Sequence, residues 1–144
     1  MKNEEPRVVV QEDATGCGIA CAAMLAGKTY HAAKRRAKEL SLFSDDRNLS
    51  SDISDLRPLL ESYNIRIGRK TSFRNWNEVP SPSILAVKHK AGAESECWHW
   101  TVFHRRENGP VILDPDRNLK SNVRRDLARL KPKWYIPVGP SQRF

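Results

Sequence analysis

The 144-residue sequence has no long apolar run and no targeting segment at its N-terminus. A membrane-spanning helix needs about 18 consecutive apolar residues, and no stretch of this chain approaches that length. Residues 1–6 also lack the apolar core of a secretory signal peptide. These absences predict a cytoplasmic protein without a membrane span, although export by a route that needs no signal would leave the same pattern.

Cysteine is scarce, and neither repeats nor low-complexity segments occur. The chain contains three cysteines, an odd number that argues against a disulfide-stapled scaffold. With 39% apolar and 29% charged residues, the composition is that of a globular chain rather than a disordered one. Because this length suits one domain, we expect a single domain over residues 1–144.

Acidic residues are outnumbered by basic ones. Lys and Arg number 25 and Asp and Glu 17, which gives a net charge of +8 and favours acidic partners. The densest basic groups, at 34–36, 105–106 and 124–125, are dispersed and have acids nearby, as on solvated faces. The charge therefore favours acidic partners, and the dispersed basic groups predict no nucleic acid among them. The sequence does not define an oligomeric state.

The order of predicted elements indicates an α+β fold. Helices are predicted over 17–26, over 30–40 and in a third segment capped by Ser54, with Pro58 in its first turn. Strands are predicted over 65–69, 83–89, 97–105, 110–113 and 134–136, with a short helix over 123–130. This order predicts an N-terminal helical lobe packed on an antiparallel sheet.

Cys17 is the candidate nucleophile. It lies between Gly16 and Gly18, where a polar turn meets the first predicted helix. A helix N-terminus favours a thiolate, and the flanking glycines leave the sulfur open to a substrate. Gln11, six residues upstream, could donate its amide N–H to an oxyanion together with the backbone N–H of Cys17. A small buried cysteine in a tight turn would have the same local sequence.

A cysteine nucleophile needs an imidazole to take its proton and an acceptor to orient that imidazole. His99 lies in the apolar segment 98–103, and hairpin pairing would bring it near Asp114, 15 residues later. His104 is five positions from His99, so on a regular strand the two side chains face opposite sides. Both faces of the strand are apolar, so the pattern leaves the choice of histidine open.

Together these residues resemble the bacteriocin-processing, double-glycine-leader peptidases, which are papain-like cysteine peptidases. Segment 11–24 (QEDATGCGIACAAM) is similar to their Gln…Cys-Gly-x-Ala-Cys-x-x-Met signature, 98–103 to their histidine strand and 113–115 to their aspartate strand. The resemblance implies a papain-like fold and a hydrolase of peptide or protein amide bonds that uses no cofactor. It implies Cys17 as nucleophile, His99 rather than His104 as general base and acid, Asp114 as orienting carboxylate and Gln11 in the oxyanion hole.

The sequence departs from that family in two respects. Thr15 and Gly16 precede Cys17 where many members have an acidic or asparagine residue, and the transmembrane and ATP-binding parts of the transporter-fused members are absent. A leader peptide ending in two glycines is therefore not implied as the substrate. Deamidase or transferase chemistry, an inactive relative, and a role as an effector or toxin all stay open.

Two non-catalytic interpretations compete with the peptidase. Cys17, Cys21, Cys97 and His99 could form a Cys₃His zinc site, although no zinc-knuckle pattern is present. The four tryptophans, interspersed with Lys and Arg, could instead stack nucleic-acid bases; they are Trp76, Trp98, Trp100 and Trp134. Tryptophans on strands are more typical of a core or a cleft wall, with Trp98 or Trp100 the candidates for a cleft beside His99.

Overall fold

The N-terminal half of the chain forms three helices and the C-terminal half a sheet. The structure, a computed structural model, describes residues 6–13, 16–42, 53–88 and 98–140. The helices are α1 (Cys17–Ala26), α2 (Tyr30–Glu39) and α3 (Ile53–Glu61). The strands are β1 (Ile65–Ile67), β2 (Thr71–Ser72), β3 (Ser83–Lys88), β4 (Trp98–Arg106), β5 (Gly109–Leu113), β6 (Val123–Arg124) and β7 (Pro132–Pro140).

The seven strands form one antiparallel sheet. Its order is β1-β7-β3-β4-β5-β6, with β2 also pairing with β7. The β4–β5 hairpin pairs Val102 with Leu113, so Asp114 immediately follows the last residue of β5. The predicted α+β architecture, a helical lobe packed on an antiparallel sheet, is confirmed.

Helix α1 is the central buried element, because its side chains are small. Ile19 and the four residues after it, Ala20–Ala23 in the sequence, are fully buried against α2, α3 and β4. Small side chains let the neighbouring backbones approach closely. The helix ends at Gly27, whose φ of 69° is left-handed and whose N–H donates to the carbonyl of Ala23. Both predicted ends of this helix are confirmed.

Two local predictions are wrong. Helix α3 begins at Ile53, so Ser54 lies inside it, and Pro58 is in its second half rather than its first turn. Several residues around 50–55 have a capping preference, and sequence alone does not rank them. The predicted helix over 123–130 is instead strand β6 followed by a 3₁₀ turn at Leu127–Arg129. Pairing with β5 extends the sheet there and outweighs the local helix propensity.

In the described parts of the chain, no helix has both the length and the apolar character needed to cross a membrane.

Candidate active site

Cys17 is the first residue of α1, and its half-buried sulfur faces the start of β4. The backbone N–H of Trp100 donates to Cys17 Sγ at 3.5 Å. This contact brings the N-terminus of α1 to the strand that carries His99. Cys21, one turn further along α1, is fully buried, and burial raises the pKa of its thiol well above the usual range. Cys21 therefore stays a neutral thiol in the core.

His99 and Asp114 form a buried pair. His99 Nε2 lies 2.6 Å from Asp114 Oδ1, with the side chains 8% and 2% exposed respectively. His99 is also hydrogen-bonded to Cys17. Since Nε2 is directed at the carboxylate, Nδ1 is the ring nitrogen that remains for the sulfur. The structure thus brings together three of the four predicted site residues, in the order sulfur, imidazole, carboxylate.

The electrostatics of this pair favour a charged imidazole. Burial alone would lower the pKa of His99, but the hydrogen bonds to Asp114 and Cys17 and the charges of both groups raise it to about 10. Burial acts to raise the pKa of Asp114, yet the bonds from His99, Asp116 and Arg124 hold it below the usual range. At neutral pH the arrangement therefore contains an imidazolium next to a carboxylate and a sulfur.

The His99 pair makes stability depend on pH. His99 titrates near 6.5 in an unfolded chain and near 10 in the fold, so the folded state binds the proton more tightly. The resulting stabilisation is complete below pH 6.5 and is lost as the pH rises from 6.5 to 10. We expect the difference in free energy of unfolding between wild type and His99→Gln, measured by urea denaturation, to shrink across this window. A constant difference would contradict the raised pKa.

His104 lies in a different environment. Its Nδ1 is 3.2 Å from the hydroxyl of Ser81, in the turn that precedes β3. It lies five residues further along β4 than His99, at the opposite end of the strand from the contact with Cys17.

Gln11 is buried and is tied to both ends of the site. Its backbone N–H donates to the carbonyl of Pro115, the residue after Asp114, at 2.9 Å. Its side-chain Nε2 donates to the carbonyl of Asp13 at 2.9 Å, and the N–H of Gly16 donates to the same carbonyl at 3.1 Å. The amide of Gln11 thereby lies near the N-terminus of α1.

The loop before Cys17 is held by α2. Asp13 Oδ2 accepts hydrogen bonds from Tyr30 Oη at 2.6 Å and from Lys34 Nζ at 3.0 Å. The Tyr30 hydroxyl lies against Gly16, where an added Cβ would be 2.0 Å from its oxygen. Any side chain at position 16 would therefore have to displace the Tyr30 hydroxyl, which disfavours an acidic or asparagine residue directly before Cys17.

Gly16→Ala is expected to destabilise the protein by about 1–3 kcal/mol, because the new methyl group must displace Tyr30 from Asp13. Gly68→Ala is the matched control, since its Cβ would make only an ordinary 3.5 Å contact with Pro137. Thermal unfolding should separate the two variants clearly. Equal melting temperatures would show that the Tyr30 contact does not restrict position 16.

The acidic end of the site contains residues that the sequence did not indicate. Asp114 Oδ2 accepts a hydrogen bond from Arg124 Nη1 at 3.0 Å, and Arg124 is itself bound by Asp126. The backbone N–H of Asp114 donates to the carbonyl of Asn122, whose side chain donates back to the carbonyl of Asp114. Arg124 was expected on a solvated helical face; the pairing of β6 with β5 places it beside the carboxylate.

The structure bears on both non-catalytic interpretations, the zinc site and the stacking of nucleic-acid bases. Within the described residues, no group of three or more His, Cys, Asp or Glu side chains could hold a metal ion, and Cys97 lies outside those residues. The side chain of Trp100 is buried in the core between helices and sheet, so it lines no cleft. Trp76 packs edge-on against Phe73 and stacks on Phe103. Trp100 is thus a core residue, and the ring of Trp76 is packed against two aromatic neighbours of the same protein.

The fold is similar to those of two solved peptidase structures. One is a double glycine motif protease from an AMS/PCAT transporter in complex with the leader peptide, with a TM-score of 0.62 and 15% identity over 94% of this chain and 91% of that one. The other is the peptidase domain of Streptococcus ComA, a bifunctional ABC transporter of a quorum-sensing pathway, with a TM-score of 0.65 and 17% identity over 95% and 99%. Both confirm the predicted papain-like fold.

Comparison by sequence identifies the family. No curated protein sequence matches the chain. The model of the Peptidase C39 family, however, matches residues 5–135, nearly the whole chain. This match agrees with the resemblance carried by the Gln11, Cys17, His99 and Asp114 motifs. The chain belongs to the Peptidase C39 family and is a cysteine peptidase with a papain-like fold.

Proposed function

We propose that Cys17, His99 and Asp114 are the catalytic triad of this peptidase and that Gln11 contributes to its oxyanion hole, within one domain over residues 1–144. The observation that carries the proposal is the continuous chain of contacts from Cys17 Sγ through the His99 ring to Asp114 Oδ1. A nucleophile, a proton carrier and an orienting acceptor in sequence are the parts that acyl transfer from an amide requires.

The positive charge on His99 is the activating element. An imidazolium beside Sγ stabilises the thiolate, and the position of Cys17 at the positive end of the α1 dipole acts in the same direction. Asp114 keeps the imidazole in the orientation that directs Nδ1 at the sulfur. The same protonated Nδ1 is the acid that the leaving group needs.

In the proposed reaction, the Cys17 thiolate attacks the carbonyl carbon of a peptide bond, and the carbonyl electron pair moves onto oxygen. The side-chain N–H of Gln11 and the backbone N–H of Cys17 donate to that oxyanion. As the carbon–nitrogen bond breaks, His99 gives its proton to the leaving amine, and a thioester remains. His99 then takes a proton from water, which attacks the thioester, releases the carboxylic acid and restores Cys17.

The substrate is proposed to be a peptide or an exposed protein segment. The double glycine motif protease to which this fold is similar was solved with a leader peptide, so peptides with two consecutive glycines are the first to test. The net charge of +8 favours substrates with acidic residues. A cytoplasmic location and an effector or toxin role stay predictions.

The test is hydrolysis of a peptide panel, followed by mass spectrometry. Peptides with an internal Gly-Gly pair are compared with Gly-Ala and Ala-Ala counterparts, each in an acidic and a basic version. We expect cleavage at one defined bond, and a peptide aldehyde of the preferred sequence should bind covalently to Cys17 alone. Release of ammonia from a glutamine side chain without cleavage of the peptide would show deamidase rather than peptidase activity. Labelling at another residue would contradict the assigned nucleophile.

A further inference from the structure

Both oxygens of the Asp114 carboxylate are held, and by different partners. Oδ1 accepts from His99 Nε2 at 2.6 Å and from the backbone N–H of Asp116 at 3.0 Å. Oδ2 accepts from Arg124 Nη1 at 3.0 Å. A carboxylate turns about its Cβ–Cγ bond, so a donor on the second oxygen fixes the direction in which the first one points.

Arg124 is itself held in place. Its Nε and Nη2 donate to the two carboxylate oxygens of Asp126 at 3.1 and 2.8 Å, which is a bidentate pair. Such a pair fixes the plane of the guanidinium group, and here it leaves Nη1 for Asp114. The pairing of Arg124 with Ile112 on β5 sets the backbone next to the end of the strand that leads to Asp114.

We propose that Arg124 is a positioning residue which, anchored by Asp126, holds the Asp114 carboxylate in the orientation that meets His99 Nε2; the inference rests on the proposed function. Arg124 contacts neither the sulfur nor the imidazole in any described hydrogen bond. It acts through Asp114, and its side chain is one-quarter exposed while that of Asp114 is 2% exposed.

Loss of Arg124 shifts the pKa of His99 in one of two opposite directions, depending on whether Asp114 keeps its place. The titratable groups that face His99 are Cys17 from α1 and Asp114 after β5, with Cys21 in the core near both. If Asp114 kept its place, removal of a nearby positive charge would raise the pKa of His99 further. If Asp114 turned away, His99 would lose its partner and its pKa would fall towards the ordinary value.

The experiment measures the rate at which iodoacetate alkylates Cys17 between about pH 5 and 11. This anionic reagent reacts fastest with a thiolate beside an imidazolium, so the upper midpoint of its pH profile reports deprotonation of His99. The variants are Arg124→Gln, Arg124→Lys and Asp126→Asn, each checked by circular dichroism. Arg125→Gln is the control, because it removes the same charge from an exposed neighbouring residue.

We expect the upper midpoint to fall by about one pH unit or more in Arg124→Gln. A smaller fall is expected in Arg124→Lys, which keeps the charge without the forked geometry, and in Asp126→Asn, which removes the anchor. Arg125→Gln should match wild type. Should Arg124→Gln fail to fold, the other two variants decide the question.

An upper midpoint that rises or does not change in the folded variants would overturn the positioning role while leaving the triad intact. A wild-type Cys17 that never reacts faster than an ordinary thiol would overturn the proposed function and this inference with it.

Discussion

Cys17→Ala should abolish peptide hydrolysis while leaving the fold intact. Replacing the nucleophile of a triad removes the covalent route, and the expected loss is about 10⁴-fold or more in kcat. The side chain is only half-buried at the helix N-terminus, so the substitution opens no cavity in the core. Hydrolysis of the preferred peptide and thermal unfolding should both be measured.

Cys21→Ala is the matched control for this substitution. It makes the same chemical change one helical turn later, at a fully buried thiol in the core. The control should lower the melting temperature and keep the activity of each folded molecule, the reverse of the Cys17 variant. A Cys17→Ala protein with residual activity near wild type would show that the catalytic sulfur lies elsewhere.

His99→Ala should have an effect almost as large, about 10³-fold or more in kcat, because the thiolate loses its counter-ion and the leaving amine loses its acid. His104→Ala should stay close to wild type, since that side chain contacts Ser81 at the far end of β4. Both are histidines on one strand, so the comparison controls for the loss of an imidazole. If His104→Ala were inactive and His99→Ala active, the assignment of His99 as the general base would be wrong.

The main elements of the fold could be predicted because their signals are local. Small apolar residues followed by Gly27 define α1. The Asn108-Gly109 pair in the sequence marks the β4–β5 hairpin, whose turn consists of Glu107 and Asn108. The position of β7 could not be predicted in this way. It is last in the chain but lies between β1 and β3, and this order depends on tertiary packing rather than on neighbours in sequence.

The candidate site could be predicted in part. The hairpin spacing predicted that His99 lies near Asp114. The strand pattern alone did not show whether His99 or His104 is the base, and the family resemblance indicated His99. The contact of Arg124 with Asp114 was not predicted, because segment 123–130 has the composition of a helix.

Activation of Cys17 by His99 is measured by the pH dependence of alkylation with the neutral reagent iodoacetamide. Labelling is measured by mass spectrometry in wild type and in His99→Ala. We expect fast labelling of Cys17 well below pH 8 in wild type, and a large fall in that rate in the variant. If Cys17 in wild type reacted no faster than an ordinary thiol, or if wild type and His99→Ala reacted at equal rates, His99 would not be the group that activates Cys17.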